Sequence, residues 1–169
     1  MTDLGKAVAV LVFTAASAAP AQSAVKPQTT ASPTRTVVFV CAHGSVKSLI
    51  TSQWFNRRAA ERGLPVRSIA RGMTPDAAIA DDIVEGLRAD GFAVAGQKPR
   101  ALVAEDLGGV ARVIEMGVDT STVTAPSHLP IDRWEDKPFT TDRYRAVRDA
   151  ERARIEALLD DFEGRTPKR

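Results

Sequence analysis

Thr36-Val37-Val38-Phe39-Val40-Cys41-Ala42-His43-Gly44-Ser45-Val46-Lys47-Ser48 is the stretch from which the rest of the chain is read. Its first five residues form a β-branched and aromatic run, the pattern of a buried strand, and from Ser48 onward apolar residues recur at helical spacing. A cysteine therefore stands at the carboxyl end of a strand, with a helix beginning seven residues later. Ligands of open α/β sheets bind at that place, because loop and first-turn N–H groups converge on one concavity and attract an anion. Cys41 shares this field, which favours its thiolate. A nucleophile beside an anion cradle points to attack on phosphorus or arsenic.

At these residues the chain resembles the low-molecular-weight protein tyrosine phosphatases and the arsenate reductases built on the same fold. It looks like a member of a divergent branch with a Cys-x-His-Gly-x-x-Lys-Ser loop. The family loop runs Cys, five residues, Arg, then Ser or Thr. Here Lys47 replaces the arginine and Gly44 the usual asparagine, while Ser48 is retained. The likeness extends over about residues 36–162, through Trp134-Glu135-Asp136-Lys137-Pro138 and a final long helix. It implies a single three-layer α/β domain, a four-stranded parallel sheet of order 2-1-3-4 flanked by helices. By the same resemblance Cys41 is the nucleophile that forms a phosphocysteine, and Ser48 bonds the thiolate and assists its departure. Asp136, in the loop before the last helix, is then the general acid. The family's Asp-Pro pair is spread here over Asp136-Lys137-Pro138, which keeps Glu135 as the alternative.

A chain of 169 residues is about one domain, and its 23 basic and 21 acidic residues nearly balance, so nothing calls for a nucleic-acid partner. Lys6, the apolar run 7–13 and Ala19-Pro20-Ala21 have the three-part pattern of a signal peptide over residues 1–21, the alternative being a disordered Ala-rich tail. Residues 22–35 read as a flexible linker, 36–163 as the phosphatase-like domain and 164–169 as a basic tail. Cleavage of the signal implies a periplasmic or secreted protein with no stable membrane insertion, and its absence a cytoplasmic one.

The helix after the loop carries Leu49, Ile50, Trp54, Phe55 and Ala59 and stops at Gly63. A strand over 66–70 follows, then a helix capped by Thr74 with Pro75 at its first position and Ile79, Ile83 and Leu87 inside. Further strands are expected at 111–116 and 121–124, a short helical piece at 103–107, and a last helix at 140–162. That helix has a stripe of Tyr144, Val147, Ile155, Leu158 and Phe162, its charges forming a solvated face. Strands alternating with helices argue for a parallel sheet.

Cys41 is the only cysteine, so no intrachain disulfide forms, and its place at an anion loop reads as a reactive thiolate rather than a small buried hydrophobe. The anion-binding loop is Ala42, His43, Gly44, Ser45, Val46 and Lys47. An arginine fork grips two oxygens of a phosphoryl group, whereas an ammonium is a point charge with rotating donors. Losing one transition-state donor costs roughly 3–4 kcal/mol, about a hundredfold to a thousandfold in rate. Gly44 supplies a positive φ and lets an oxyanion approach the backbone. His43, as an imidazolium, would favour the thiolate or touch the anion, with a purely structural role equally open. Ser48 is also a candidate helix cap, Trp134 a candidate pocket wall, and His128 structural.

Three functions follow. The first is a slow cysteine-dependent phosphatase acting on a phosphomonoester, without metal or other cofactor. The second is a non-catalytic phosphate- or arsenate-binding protein. The third is an arsenate reductase, which with one cysteine needs an external thiol.

Overall fold

Val37, Val38, Phe39 and Val40 are fully excluded from solvent, and their place in the sheet explains it. In the computed structural model, which describes residues 34–135, 138 and 141–164, they belong to β1 (Arg35–Cys41). β1 is flanked by β2 (Val66–Gly72) and β3 (Arg112–Met116), with β4 (Ile131–Trp134) beyond β3. All three pairings are parallel and the order is β2-β1-β3-β4, as the resemblance implied. A central parallel strand is covered on both faces, hence its continuous apolar run.

Alternation along β1 sends Val37, Phe39 and Cys41 to one face and Val38 and Val40 to the other. The first face receives α1 (Lys47–Glu61) and α3 (Arg143–Glu163) through Phe55, Ala59, Ile155, Leu158 and Leu159. The second is covered by Leu102 and by Leu107 of a 3-10 turn (Ala104–Leu107). α2 (Asp81–Ala89) packs Ile83 and Leu87 against Leu49, Ile50, Tyr144 and Val147. Each such buried aliphatic contributes about 1.5–3 kcal/mol. Tyr144 fastens the three helices: its hydroxyl donates to Asp90 (2.5 Å) and accepts from Trp54 Nε1 (3.3 Å), and its ring lies where any Cβ on Gly86 would fall. Burial, with Asp90, pushes its phenol up to about 12, so it stays a donor.

Local differences from the sequence expectations have local causes. Thr74-Pro75 starts no helix, because the Thr74 N–H and hydroxyl both turn to the carbonyl of Ala42 (2.8 and 3.4 Å); α2 begins at Asp81 instead. Residues 121–124 form a turn, closed by Ser121 N–H on the Asp119 carboxylate (2.8 Å) and by Val123 N–H on Thr120 O (2.9 Å). The fourth strand lies further on, at Ile131–Trp134. The helix after the cysteine starts at Lys47 with Val46 in the cap position, so Ser48 is inside it and caps nothing. α3 starts at Arg143, capped by Asp142, whose carboxylate accepts from Arg145 N–H (3.0 Å). Its charges are not all solvated. Arg58 Nε meets Glu156 at 2.6 Å and Arg62 Nη1 meets Asp160 at 2.8 Å across the α1–α3 seam, and Glu151 occupies the buried stripe itself. Arg35, assigned to the linker, is the first residue of β1. The signal-peptide segment 1–21, linker residues 22–33 and tail residues 165–169 lie outside the described residues.

Candidate active site

The loop between β1 and α1 is aimed by its carbonyl groups. The carbonyl oxygens of Cys41, Ala42 and His43 accept hydrogen bonds from the N–H groups of Met73 (3.0 Å), Thr74 (2.8 Å) and Asp76 (3.1 Å), in the segment after β2. In a trans peptide the carbonyl of one residue and the N–H of the next point in opposite directions. Tying three carbonyls to one side therefore turns the N–H groups of Ala42, His43 and Gly44 to the other. Gly44 shows which side that is, for its N–H donates to Cys41 Sγ at 3.2 Å. The amides thus face the sulfur and the start of a fifteen-residue helix, whose N-terminal end carries the positive pole of the helix dipole.

Gly44 has φ +69°, and a Cβ there would stand 2.8 Å from the Gly72 nitrogen. A Cβ on Gly72 would meet the His43 carbonyl carbon at 2.6 Å. Two strands of backbone touch here, with room for glycine only. Asparagine and glycine are the residues that adopt positive φ most readily, so Gly44 keeps the backbone conformation open to the family's asparagine and gives up its side chain.

Cys41 is 5% exposed and accepts at Sγ from Gly44, with Ser48 Oγ also at 3.2 Å. Ser48 has one proton and a second neighbour, the Arg71 carbonyl at 3.1 Å. While Cys41 is a thiol, S–H donates to Oγ and the hydroxyl donates to Arg71. Once Cys41 ionises, the hydroxyl turns to the sulfur, a stronger charge-assisted bond. Lys47 opens α1. Burial lowers its pKa from the ordinary lysine value, and the charges of Cys41 and Glu151 oppose that fall.

Asp76, beyond β2, is a member of the cluster that sequence reasoning did not find. Its carboxylate accepts from the buried Ser45 hydroxyl and stands 3.4 Å from His43 Nδ1. His43 Nδ1 is also 3.2 Å from the Thr74 carbonyl, which only accepts, so Nδ1 is the donor in that contact. Ala42 is exposed, and Val46 is half-buried against the Leu49–Ile50 cluster.

On the other side of the site, Trp134 closes β4 and packs on Phe39, ring centroids 5.7 Å apart. Glu135 follows it and is exposed; Asp136 lies outside the described residues. Arg154 of α3 donates to the Glu135 carbonyl (3.2 Å) and holds Glu151 at 3.3 Å. The signal for Glu151 was present in the sequence as a seven-residue gap in the apolar stripe, between Val147 and Ile155, with an acid at the core-facing position. His128 is exposed in a turn. Glu115, buried at the end of β3, takes the N–H and hydroxyl of Thr120 (2.9 and 2.7 Å) and so anchors the turn after the strand. Arg133 Nε stands 2.8 Å from its other oxygen, off the line of a hydrogen bond. Among the described residues no three His, Cys, Asp or Glu side chains converge as a metal site would require.

The sequence model of the family described as low molecular weight phosphotyrosine protein phosphatase matches residues 36–163. No protein of curated function matches the sequence. Among solved structures, a thioredoxin-dependent arsenate reductase of Corynebacterium glutamicum is similar, with TM-score 0.67 and 22% identity over 79% of this chain. The match spans 64% of that protein's length. An arsenate reductase in a phosphate-binding state gives TM-score 0.59 and 17% identity, covering 76% of this chain and 98% of the other. A low molecular weight protein tyrosine phosphatase of T. tengcongensis gives 0.57 and 17%, covering 75% and 99%. At these identities the structural likeness speaks for the fold.

Proposed function

The chain belongs to the low molecular weight phosphotyrosine protein phosphatase family, and from that premise we propose that it is a cysteine-dependent phosphatase working through a phosphocysteine. The observation that carries this reading is the meeting of Gly44 N–H and Ser48 hydroxyl on Cys41 Sγ, at the start of a loop whose first three carbonyls, from Cys41 to His43, are tied to the far side. The thiolate sulfur attacks phosphorus, an S–P bond forms, and the P–O bond to the leaving group breaks. The departing oxygen takes a proton from Asp136, or from Glu135 if that carboxyl holds the position. A water molecule activated by the same carboxylate then attacks phosphorus, releasing phosphate and returning the thiolate to Ser48.

Backbone amides and the Lys47 ammonium bind the equatorial oxygens. A point charge in place of a planar fork makes the enzyme slow on simple phosphomonoesters. The same lysine favours, as a second reading, a protein that binds phosphate or arsenate without turnover. Arsenate reduction would require an external thiol, since Cys41 is the only cysteine. The N-terminal segment goes with a periplasmic or secreted protein, a proposal that the mass of the protein recovered from cells tests.

Hydrolysis of p-nitrophenyl phosphate by wild type beside Cys41→Ser, with phosphate and arsenate as competitors, decides between the readings. Turnover that vanishes in Cys41→Ser supports the phosphatase. Absent turnover with saturable phosphate binding supports the binder.

A further inference from the structure

β2 lies at the edge of the sheet, with β1 on one side only. Parallel pairing turns alternate peptide groups of β2 inward. The Pro65 carbonyl accepts from Arg35 N–H (2.9 Å) and Met73 N–H donates to the Cys41 carbonyl (3.0 Å), so residues 67, 69 and 71 between them face β1. Those of Ser68, Ala70 and Gly72 face outward, and most of them are closed off. The side-chain amide of Asn56 takes both groups of Ser68, accepting from its N–H at 2.6 Å and donating to its carbonyl at 3.1 Å. Gly72 N–H donates to the Arg100 carbonyl, and the Gly72 carbonyl accepts from Leu102 N–H, both at 2.9 Å. Arg71 Nη1 takes the Ala70 carbonyl at 2.8 Å. The Ala70 N–H is left, with no partner among the described residues.

That strand edge borders a cavity of about 210 Å³, lined by Ala70, Arg71, Lys98 and Arg100 among others, three cations with no carboxylate in the lining. Arg71 is already paired: Nε and Nη2 hold Asp106 at 2.7 and 2.5 Å. Asp106 is the acid on which the Arg100 charge also acts, and its two oxygens are occupied by Arg71. Lys98 and Arg100 form no ion pair among the described residues. Water satisfies an N–H group, but it does not offset like charges gathered at one cavity. A doubly charged tetrahedral oxyanion does both, accepting from the N–H and meeting the ammonium and the guanidinium. The cavity is smaller than the roughly 300–1,000 Å³ of sites for drug-sized ligands, which suits a phosphate group.

We propose that this cavity is a second oxyanion site, taking a phosphate group, free or borne on a peptide, on Ala70 N–H, Lys98 and Arg100. It does not depend on turnover at Cys41. It does border the nucleophile's supports, since Gly44 and Arg71 line the same cavity, Gly44 N–H donates to Cys41 Sγ, and the Arg71 carbonyl accepts from Ser48.

Amide shifts of the full chain, titrated with inorganic phosphate at constant ionic strength, test the proposal, with Ala70 reporting on the strand edge and Ala42 and His43 on the cradle. The Ala70 signal is expected to move and saturate. In Lys98→Gln/Arg100→Gln, two exposed positions, its midpoint should rise about tenfold or more, because two charge-assisted contacts are lost. The Ala42 and His43 midpoints should stay within about twofold. A short phosphoserine peptide, added to Cys41→Ser so that nothing is hydrolysed, identifies the source: saturation of Ala70 below the phosphate midpoint supports a peptide-borne group, and saturation at or above it supports the free ion. An Ala70 signal that does not saturate, or that responds equally to chloride, would overturn the proposal and leave the two cations merely solvated. So would an Ala70 midpoint that coincides with the cradle's and ignores the double variant. Hydrolysis of p-nitrophenyl phosphate is unaffected by either outcome, so the phosphatase reading stands or falls separately.

Discussion

The cysteine loop and the end of β4 are held in opposite ways. Residues 41–44 are fixed by backbone: three carbonyls tied to N–H groups of the segment after β2, and two glycines in contact. Residues 134–135 are fixed by a side chain reaching from α3, with Arg154 on the Glu135 carbonyl and over Trp134. Backbone anchoring leaves few degrees of freedom to lose and aims several amides at once; a single long side chain fixes one point and permits adjustment around it. On the proposed phosphatase reading, the backbone-held region is the one that must be preorganised, since it forms the oxyanion cradle.

Changes in the first region should therefore act regardless of leaving group. Gly72→Ala is expected to have the largest effect, because its Cβ would fall 2.6 Å from the His43 carbonyl carbon and 2.7 Å from the Gly44 nitrogen, backbone atoms with little room to yield. Overpacking of that kind costs about 1–3 kcal/mol of stability, and a cradle displaced by an ångström loses on the order of a hundredfold in turnover. Thermal unfolding and kcat on p-nitrophenyl phosphate measure the two. Near-normal activity in Gly72→Ala would mean that the cradle is not preorganised by this contact.

Ser48→Ala comes next. It removes the side-chain hydroxyl in contact with Cys41 Sγ, a bond that in the charged state is worth about 1.5–3 kcal/mol. Turnover should fall about tenfold to a hundredfold, on good and poor leaving groups alike, since the thiolate departs in the second step with every substrate. Lys47→Arg sharpens the contrast in the other direction. If the surrounding cradle is intact, a restored fork should raise turnover by about tenfold. Unchanged or lower activity would show that the cradle has formed around lysine for a different anion.

The same contrast explains what was legible in the sequence. β1, the cysteine turn and the start of α1 follow one another, so a buried run, a glycine and a hydroxyl within a few positions were enough to indicate them. The sheet order came from resemblance, as periodicity carries strand count but no neighbours. Thr74 has the sequence pattern of a helix cap, but its partner, the Ala42 carbonyl, is thirty-two residues away. Asp76 carries no local signal for the same reason: its partners Ser45 and His43 belong to another element. The strand expected at 121–124 failed because four polar and β-branched residues suit a turn as well as a strand when an Asp precedes them. Glu151 left a trace, as an acid in register with an apolar stripe, but only the tertiary fold shows which charges it faces.

The smallest effect expected is also the one that joins the two regions. Lys47 is held below the ordinary lysine range by burial, against the charges of Cys41 and Glu151. Glu151→Gln removes one of the two charges that favour the ammonium and leaves Arg154 uncompensated beside it, and both changes act in the same direction. The proton should leave Lys47 at lower pH than in wild type. If the cradle needs that charge, the alkaline limb of kcat/KM for p-nitrophenyl phosphate moves to lower pH in Glu151→Gln, while the acid limb stays where it was. Lys47→Arg supplies the control, since a guanidinium does not titrate in this range and that limb should disappear. Stability follows the same sign. The folded chain binds this proton less tightly than the unfolded chain, so Lys47 opposes folding at neutral pH and opposes it less as pH rises through its folded value. An alkaline limb that stays put in Glu151→Gln would show that the Glu151 charge does not reach the cradle.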